Sequence, residues 1–324
     1  MGFLMRAALI ERLDGPGAVV VRDVPEPVAG PGQVLIDVLA AGVVFPDVLQ
    51  TRGAYQLRPP LPFSPGAEVA GTVRAAGHGF TAGDRVAAVT MTGGLAEVVA
   101  ADARLVFPLP DDVAFETAAA IPLNYLTMHF AYHQRATLQL GETVLVHGGG
   151  GGLGIAACQL AVAHGATVAA VVSSEAKAAV ARDAGAHEVV PVEGFLDAVR
   201  GFTGGRGVDL VVDPVGGDRF TDSLRCLAPE GRLLVLGFTA GDIPTVKVNR
   251  LLLTNTTVMG VASAEYWRTH PELPAQEWAD LLPLIGSGAI DPMVRSVYDL
   301  DHVVEAITEL DERRAAGRVV VRPR

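Results

Sequence analysis

The chain has 324 residues, half of them hydrophobic, and a formal net charge of −11 at pH 7. This length suggests two domains with apolar cores, and the acidic balance argues against nucleic acid or an anionic membrane as a partner, because both attract clustered positive charge. The two cysteines lack metal-ligand spacing, so neither disulfide staples nor a cysteine-based metal site is expected. No stretch approaches the roughly 20 apolar residues of a membrane helix, and the N-terminus lacks a secretion signal. These features predict a cytoplasmic protein.

Short apolar segments separated by Gly-Pro signals predict a compact, barrel-like β-rich domain over residues 1–122. Gly15-Pro16-Gly17 and Gly30-Pro31-Gly32 are two such signals. Residues 262–324 return to strand and helix patterns and are predicted to rejoin the first domain, which makes that domain discontinuous. Between them, strand and helix patterns alternate over residues 123–261, which is typical of a parallel sheet with helices on both faces.

A strand, a glycine-rich turn and a helix follow one another at the start of this alternation. Thr143–His147 is the apolar strand, and five glycines (148–152) lead through Leu153 and Gly154 into a helix. A helix N-terminus presents unpaired N–H groups and a partial positive charge, and glycine lets a pyrophosphate approach them closely. The pattern fits two registers, Gly149-Gly151-Gly154 and Gly148-Gly151-Gly154, so the glycines alone do not decide between them. A flexible linker is the alternative interpretation.

The end of the second strand bears on the choice of cofactor. NAD sites usually carry an acid there for the ribose hydroxyls. This chain has Ser173 and Ser174 instead, followed by Lys177, one of only two lysines. Hydroxyls and a cation suit a 2′-phosphate and favour NADPH. Glu175 argues against NADPH if it binds the ribose hydroxyls from a displaced position. The other interpretation is an acid in the first turn of the next helix, where the helix dipole favours it. The alternative interpretation of Lys177 is a solvated charge on the helix surface.

Several motifs, in order along nearly the whole chain, resemble the medium-chain dehydrogenase/reductase superfamily, most closely its zinc-free quinone oxidoreductase branch of the zeta-crystallin type. They are GVVFPD (42–47), RGAY (52–55), PGAEVAG (65–71), GDRV (83–86), IPLNYLTMHFA (121–131) and VLVHGGGGGLG (144–154). The resemblance implies the fold class: α/β, with a GroES-like β-rich barrel domain plus a Rossmann domain built on a doubly wound parallel sheet.

The same alignment bears on metal binding. Where zinc-dependent relatives place their ligands, this chain has Val44, Ala67 and, approximately, Leu123. Zinc needs N, S or O donors, so no metal is expected. The zinc-free branch commonly has Asn, a polar group near the substrate site, at the position of Val44. This departure affects the substrate assignment and leaves the cofactor assignment unchanged.

The resemblance also implies site residues. Tyr55 is the candidate hydrogen-bond donor to an acceptor oxygen, with a pocket wall as its alternative role, and Asp47 is a structural or orienting acid in the catalytic part of the site. Gly237 and Phe238 follow a predicted strand and should line the nicotinamide end. The full set of predicted cofactor residues is Thr127, Gly149, Gly151, Gly152, Leu153, Gly154, Ser173, Ser174, Lys177, Gly237, Phe238 and Arg318.

The histidines offer no clear catalytic group. His129 and His133 are one helical turn apart, but no third donor is evident, so we interpret them as helix-surface or interface residues. His147 precedes the glycines and is expected to brace the turn.

Without zinc, the expected reaction is hydride transfer from NADPH to a quinone or enone, with the cofactor carrying the chemistry. An enoyl-thioester reductase of the same fold and a non-enzymatic, crystallin-like NADPH-binding protein are the alternatives. Family resemblance further predicts a homodimer joined through edge strands near residues 256–261.

Overall fold

A computed structural model of the chain describes residues 3–324, which form two compact units. The first comprises the described chain up to Leu123, together with Pro271–Trp278 and Pro292–Arg324. The second comprises Asn124–His270 and Ala279–Asp291. The units are defined by packing, and the domain boundaries inferred from the sequence stay a prediction.

The first unit takes its strands from both ends of the described chain, and the second takes its strands from the middle. In order, they are β1 (Leu4–Ile10), β2 (Val19–Pro25), β3 (Gln33–Val43), β4 (Glu68–Val73), β5 (Arg85–Val89), β6 (Val98–Asp102), β7 (Val106–Pro108), β8 (Thr143–His147), β9 (Thr167–Val172), β10 (Glu188–Pro191), β11 (Val208–Asp213), β12 (Leu227–Val235), β13 (Thr257–Gly260), β14 (Val294–Asp299) and β15 (Arg318–Arg322).

The helices alternate with strands mainly in the second unit. In order, they are α1 (Phe45–Thr51), α2 (Phe115–Ala119), α3 (Pro122–Phe130), α4 (Gly152–Ala163), α5 (Glu175–Asp183), α6 (Phe195–Phe202), α7 (Phe220–Cys226), α8 (Asn249–Thr254), α9 (Ser263–Trp267), α10 (Leu273–Gly286) and α11 (Val303–Asp311). A π-helical segment, Ala131–Ala136, continues α3.

The first unit is built on a seven-stranded sheet. Its path is β14-β15-β3-β4-β5-β7, β6 also pairs with β3, and β1 and β2 form a separate antiparallel pair. The central strand β3 alternates partly and fully buried residues and then becomes buried throughout, because β4, β6 and β15 all pair with it. The C-terminal strand β15 therefore belongs to this sheet.

The second unit contains a six-stranded parallel sheet in the order β10-β9-β8-β11-β12-β13. The chain builds outwards from β8 to β10 on one side and from β11 to β13 on the other, so the strand order reverses between β8 and β11. Ligands of such sheets bind at the carboxyl ends of the strands beside this reversal. The predicted α/β class with a doubly wound parallel sheet is confirmed. Within residues 3–324, no helix has both the length and the apolar character needed to cross a membrane.

Candidate functional site

The glycine turn joins β8 to α4 at the point where the strand order reverses. Gly148 has a left-handed φ of +67°, and Gly151, in extended conformation, is the N-cap of α4. The N–H of Gly151 donates to the carbonyl oxygen of Gly148 at 3.0 Å, which closes the turn. The N–H groups of the first turn of α4 have no carbonyl one turn earlier within the helix, so they can bind an anion.

Three of the glycines are required by close contacts. A Cβ atom at Gly149 would lie 2.7 Å from the Cβ of Ala170, and one at Gly150 would lie 2.6 Å from the Cβ of Lys177. A Cβ at Gly154 would lie 2.1 Å from the Gly148 carbonyl oxygen. A Cβ atom at Gly151 would lie 3.5 Å from the Gly148 carbonyl oxygen, which is an ordinary van der Waals distance. The turn is therefore a packed structure, and a flexible linker is excluded.

The end of β9 presents a cation beside hydroxyl groups. The Lys177 ammonium donates to the Ser173 hydroxyl at 3.4 Å, and the Ser174 hydroxyl caps α5 by accepting the Lys177 N–H at 3.3 Å. Glu175 pairs with Arg182 at 2.7 Å, and its side chain is exposed. Of the two roles considered for Glu175, the structure supports that of a first-turn helix acid.

Two loops follow β11 and β12 and contact each other. The Thr239 N–H donates to the carbonyl oxygen of Pro214 at 3.2 Å, and a Cβ at Gly237 would lie 3.2 Å from the same oxygen. Phe238 is 38% exposed, which leaves its ring accessible for a ligand. Val215 reaches the glycine turn, because its Cγ2 lies 3.7 Å from the position of a Cβ at Gly148. The structure therefore brings Gly237 and Phe238 to the same edge of the sheet as the glycine turn.

Thr127 lies on α3, and its hydroxyl is 3.2 Å from that of Ser263 on α9. The pair is partly buried and ties the two helices together. A contact between Thr127 and the cofactor stays a prediction.

Asp47 is fully buried in the first unit and binds backbone. Its carboxylate accepts the N–H of Val44 at 2.8 Å and that of Gly66 at 2.9 Å. Burial raises the pKa of Asp47 to about 7, and the charge of Glu68 adds to this rise. These bonds make Asp47 an anchor for the start of α1, and its part in the catalytic site stays a prediction.

Arg318 forms a buried ion pair with Glu68 and donates to the carbonyl oxygen of Val43 at 3.3 Å. The other oxygen of Glu68 accepts the Leu123 N–H at 2.8 Å. Burial raises the pKa of Glu68, against the opposing effect of Arg318. Arg318 is only 4% exposed, so its predicted contact with the cofactor would involve a small part of its guanidinium.

Tyr55 is half-buried in the first unit. Burial, and secondarily the charge of Asp47, raises the pKa of its phenol, which therefore stays protonated at neutral pH. A protonated phenol can donate a hydrogen bond to a substrate oxygen.

The histidines form two separate groups. His147 is fully buried with its Nε2 2.8 Å from the Ser223 hydroxyl, and burial lowers its pKa to about 4, so it is neutral. The rings of His129 and His133 lie 4.2 Å apart, and His164 lies 5.6 Å from His133, so the sequence missed a third imidazole near the pair. Across the described part of the chain, no group of three or more His, Cys, Asp or Glu side chains is arranged to hold a metal ion.

Sequence reasoning also missed Asp213, which ends β11. Its carboxylate accepts the N–H groups of Val215 at 2.8 Å and Gly216 at 2.9 Å. An Asp followed by Pro-Val-Gly-Gly is a turn signal that could have revealed this arrangement.

Comparison with known proteins agrees with this architecture. Residues 30–111 match the family model described as "Alcohol dehydrogenase GroES-like domain", and residues 152–286 match the one described as "Zinc-binding dehydrogenase". The chain is 37% identical to quinone oxidoreductase-like protein 2 of Rattus norvegicus over 323 residues, which covers 98% of this chain and 91% of the relative.

Solved structures extend the similarity to the whole fold. An oxidoreductase from Mycobacterium abscessus, described as probable, is 44% identical with a TM-score of 0.91 and full coverage of both chains. A mycobacterial protein complexed with NADPH is 35% identical with a TM-score of 0.92, covering 98% of this chain and 100% of the other. The GroES-like assignment is confirmed, and the chain belongs to the medium-chain dehydrogenase/reductase family, in its quinone oxidoreductase branch.

Proposed function

We propose that this chain is a zinc-independent, NADPH-dependent reductase that transfers hydride to a quinone or another conjugated carbonyl compound. The relative named as quinone oxidoreductase-like and the neighbour complexed with NADPH support this reaction class. The observation that carries the proposal is the Lys177 ammonium bound to the Ser173 hydroxyl at the end of β9. In this fold, the ribose of a bound dinucleotide lies at this position, where a cation favours a 2′-phosphate.

The glycine turn fits the pyrophosphate of such a cofactor. Gly149, Gly150 and Gly154 leave no space for side chains, which lets the turn pack against β9 and α5. The N–H groups of the first turn of α4 lack acceptors within the helix and can bind an anion. In this proposal Gly151, Gly152 and Leu153 contact the pyrophosphate, Ser173, Ser174 and Lys177 hold the 2′-phosphate end, and Gly237 with Phe238 borders the nicotinamide.

Zinc independence is supported by the residues at the positions of the zinc ligands. Val44 and Ala67 are buried aliphatic residues, 3% and 0% exposed. Such side chains have no donor atom for Zn²⁺. We expect turnover to be unchanged after treatment with a chelator, and metal analysis of the active protein to find no stoichiometric zinc.

When bound, NADPH supplies the hydride, and reduction of a conjugated carbonyl also requires a proton. The side chains orient the acceptor and exclude water. In this proposal the protonated phenol of Tyr55 donates a hydrogen bond to the acceptor oxygen that gains negative charge. Asp47 contributes by holding the first turn of α1, since both of its oxygens are bound to backbone N–H groups.

We also propose a homodimer joined along β13. This strand ends the parallel sheet, and among residues 3–324 no further strand pairs with its outer edge. On the preceding helix α8, Leu252 and Leu253 are 77% and 78% exposed. An open strand edge with exposed apolar side chains beside it favours pairing with a second copy. Light scattering should find a dimer, and Leu253→Asp should shift it towards monomer. A cytoplasmic location stays a prediction.

The test of the proposed reaction is consumption of reduced cofactor in a panel of acceptors. The panel contains benzoquinone, phenanthrenequinone, an alkyl enone and crotonyl-coenzyme A, each with NADPH and with NADH. Turnover of quinone or enone with preference for NADPH supports the proposal. Turnover of the thioester alone would assign the chain to enoyl-thioester reduction, NADPH binding without any turnover would favour a binding protein, and failure to bind NADPH would refute the cofactor assignment.

A further inference from the structure

Asp213 is a buried acid that the proposed hydride transfer does not use. It ends β11 and is 2% exposed. One oxygen of its carboxylate, Oδ1, accepts two backbone N–H groups, from Val215 and Gly216. The side chain therefore folds the chain back on itself immediately after the strand.

This turn has a conformation that needs support. Gly216 and Gly217 both have a left-handed φ of +65°. An Asp side chain that binds the backbone two and three residues later is a known way to hold such a turn. We define the segment Pro214–Gly217 as the Asp213 loop.

The Asp213 loop is bonded to the segment that borders the nicotinamide in the proposed complex. The carbonyl oxygens of Pro214 and Val215 accept the N–H groups of Thr239 and Ala240 at 3.2 and 2.9 Å. A Cβ at Gly216 would lie 3.0 Å from the Phe238 ring. Because these contacts are direct, a shift of the Asp213 loop would also shift Phe238.

The base of the loop is buried within the parallel sheet. In the parallel pairing of β11 with β8, Val212 lies opposite Val146, so Asp213 and His147 are the next residues along the two strands. His147 is held by the Ser223 hydroxyl, and both side chains are fully buried. The carboxylate therefore lies in a buried region of the sheet, where solvent cannot replace a lost acceptor.

From these contacts we propose that Asp213 is a positioning residue for the nicotinamide end of the dinucleotide. It holds the Asp213 loop and, through it, the segment from Gly237 to Ala240. This role rests on the proposed NADPH-dependent function. It concerns the nicotinamide end, because the hydrogen bonds of the loop carbonyl oxygens go to Thr239 and Ala240, next to Phe238.

The test compares NADPH with 2′-phospho-ADP-ribose, which contains every part of the cofactor except the nicotinamide. Asp213→Ala leaves two buried N–H groups without an acceptor, so we expect its affinity for NADPH to fall about tenfold or more. Its affinity for the fragment should change by less than about threefold. Asp213→Asn keeps a carbonyl oxygen for both N–H groups, and NADPH affinity should return to within about threefold of the original protein.

Asp209 provides a matched structural control at the opposite end of β11. It accepts the Thr143 N–H at 2.8 Å and pairs with Arg206, so Asp209→Ala also removes two interactions of an acid on this strand. Asp209→Ala should lower the thermal midpoint of unfolding. Its affinities for NADPH and for 2′-phospho-ADP-ribose should change by the same factor.

Two results would overturn the role of Asp213. One is an equal loss of NADPH and fragment binding in Asp213→Ala, and the other is no loss of either. If Asp213→Ala does not fold, Gly216→Ala tests the same loop, because alanine is strained at a φ of +65° and its Cβ would lie 3.0 Å from the Phe238 ring. The same selective loss of NADPH affinity is expected. Failure of the unmodified protein to bind both ligands would instead refute the proposed function itself.

Discussion

Replacing Lys177 by Ala removes the cation at the end of β9 and keeps the packing of the glycine turn. The Cβ of Lys177 is the atom nearest to the position of a Cβ at Gly150, and Ala retains it. A hydrogen bond from a charged donor contributes about 1.5–3 kcal/mol. Because Lys177 is only half-buried, solvent screening favours the lower end of this range. We therefore expect a loss of about 1.5 kcal/mol in NADPH recognition, which is roughly tenfold in affinity.

The assay measures kcat/KM for NADPH and for NADH with one quinone acceptor at low ionic strength. In Lys177→Ala, the value for NADPH should fall about tenfold, while that for NADH should change less than about twofold, since NADH has no 2′-phosphate. Raising the salt concentration should reduce the NADPH preference of the unmodified protein, because exposed charges are screened.

Lys247 supplies a charge-matched control, because it is the other lysine of the chain and is exposed. Lys247→Ala changes the net charge equally and should leave the preference between cofactors unaltered. If Lys177→Ala lowered the NADPH and NADH values together, the lysine would act on the turn and not on the phosphate. An unchanged preference would place phosphate recognition elsewhere.

Three further substitutions examine other parts of the site. Gly154→Ala should weaken NADPH binding at least about tenfold in a fluorescence titration, because the new Cβ would lie 2.1 Å from a backbone oxygen. Gly201→Ala on α6, where nothing lies within 4 Å of an added Cβ, should bind NADPH within about threefold of the original protein. Tyr55→Phe should lower kcat for quinones about tenfold and leave the KM for NADPH unchanged in steady-state kinetics, and an unaltered kcat would remove the phenol from the reaction. Glu68→Gln should destabilise the fold by about 3 kcal/mol in urea denaturation, since it leaves a buried guanidinium without its charge partner. The exposed pair of Glu116 provides the comparison, because Glu116→Gln should cost less than about 1 kcal/mol.

The parts of the fold that follow from local patterns could be predicted from the sequence. The strand Thr143–His147, the glycine turn and the helix after it are neighbours in the chain, and each has its own periodicity or turn chemistry. The five glycines could not reveal their register, because every residue in the run is the same. In the structure the glycines have different structural roles. Gly148 adopts a left-handed φ, Gly151 caps the helix, and Gly154 packs against the turn.

Contacts between distant residues could not be predicted in this way. Arg318 and Glu68 are 250 residues apart, and Thr127 and Ser263 are 136 apart, so no periodic pattern connects them. The resemblance to relatives suggested a role for Arg318, but it did not reveal that Glu68 and the surrounding core bury its side chain almost completely.

In the proposed complex, recognition of the dinucleotide is divided among three positions along one sheet edge. The glycine turn offers backbone N–H groups, which bind a pyrophosphate whether or not the ribose carries a phosphate. In this proposal selection of NADPH depends on the end of β9, where Lys177 supplies a cation and Arg182 pairs with the nearby acid Glu175. The proposed role of the Asp213 loop concerns the third position, the nicotinamide end. Because each position depends on different residues, anchoring, selectivity and hydride geometry can be impaired one at a time, which a site built on a single charged cluster would not allow.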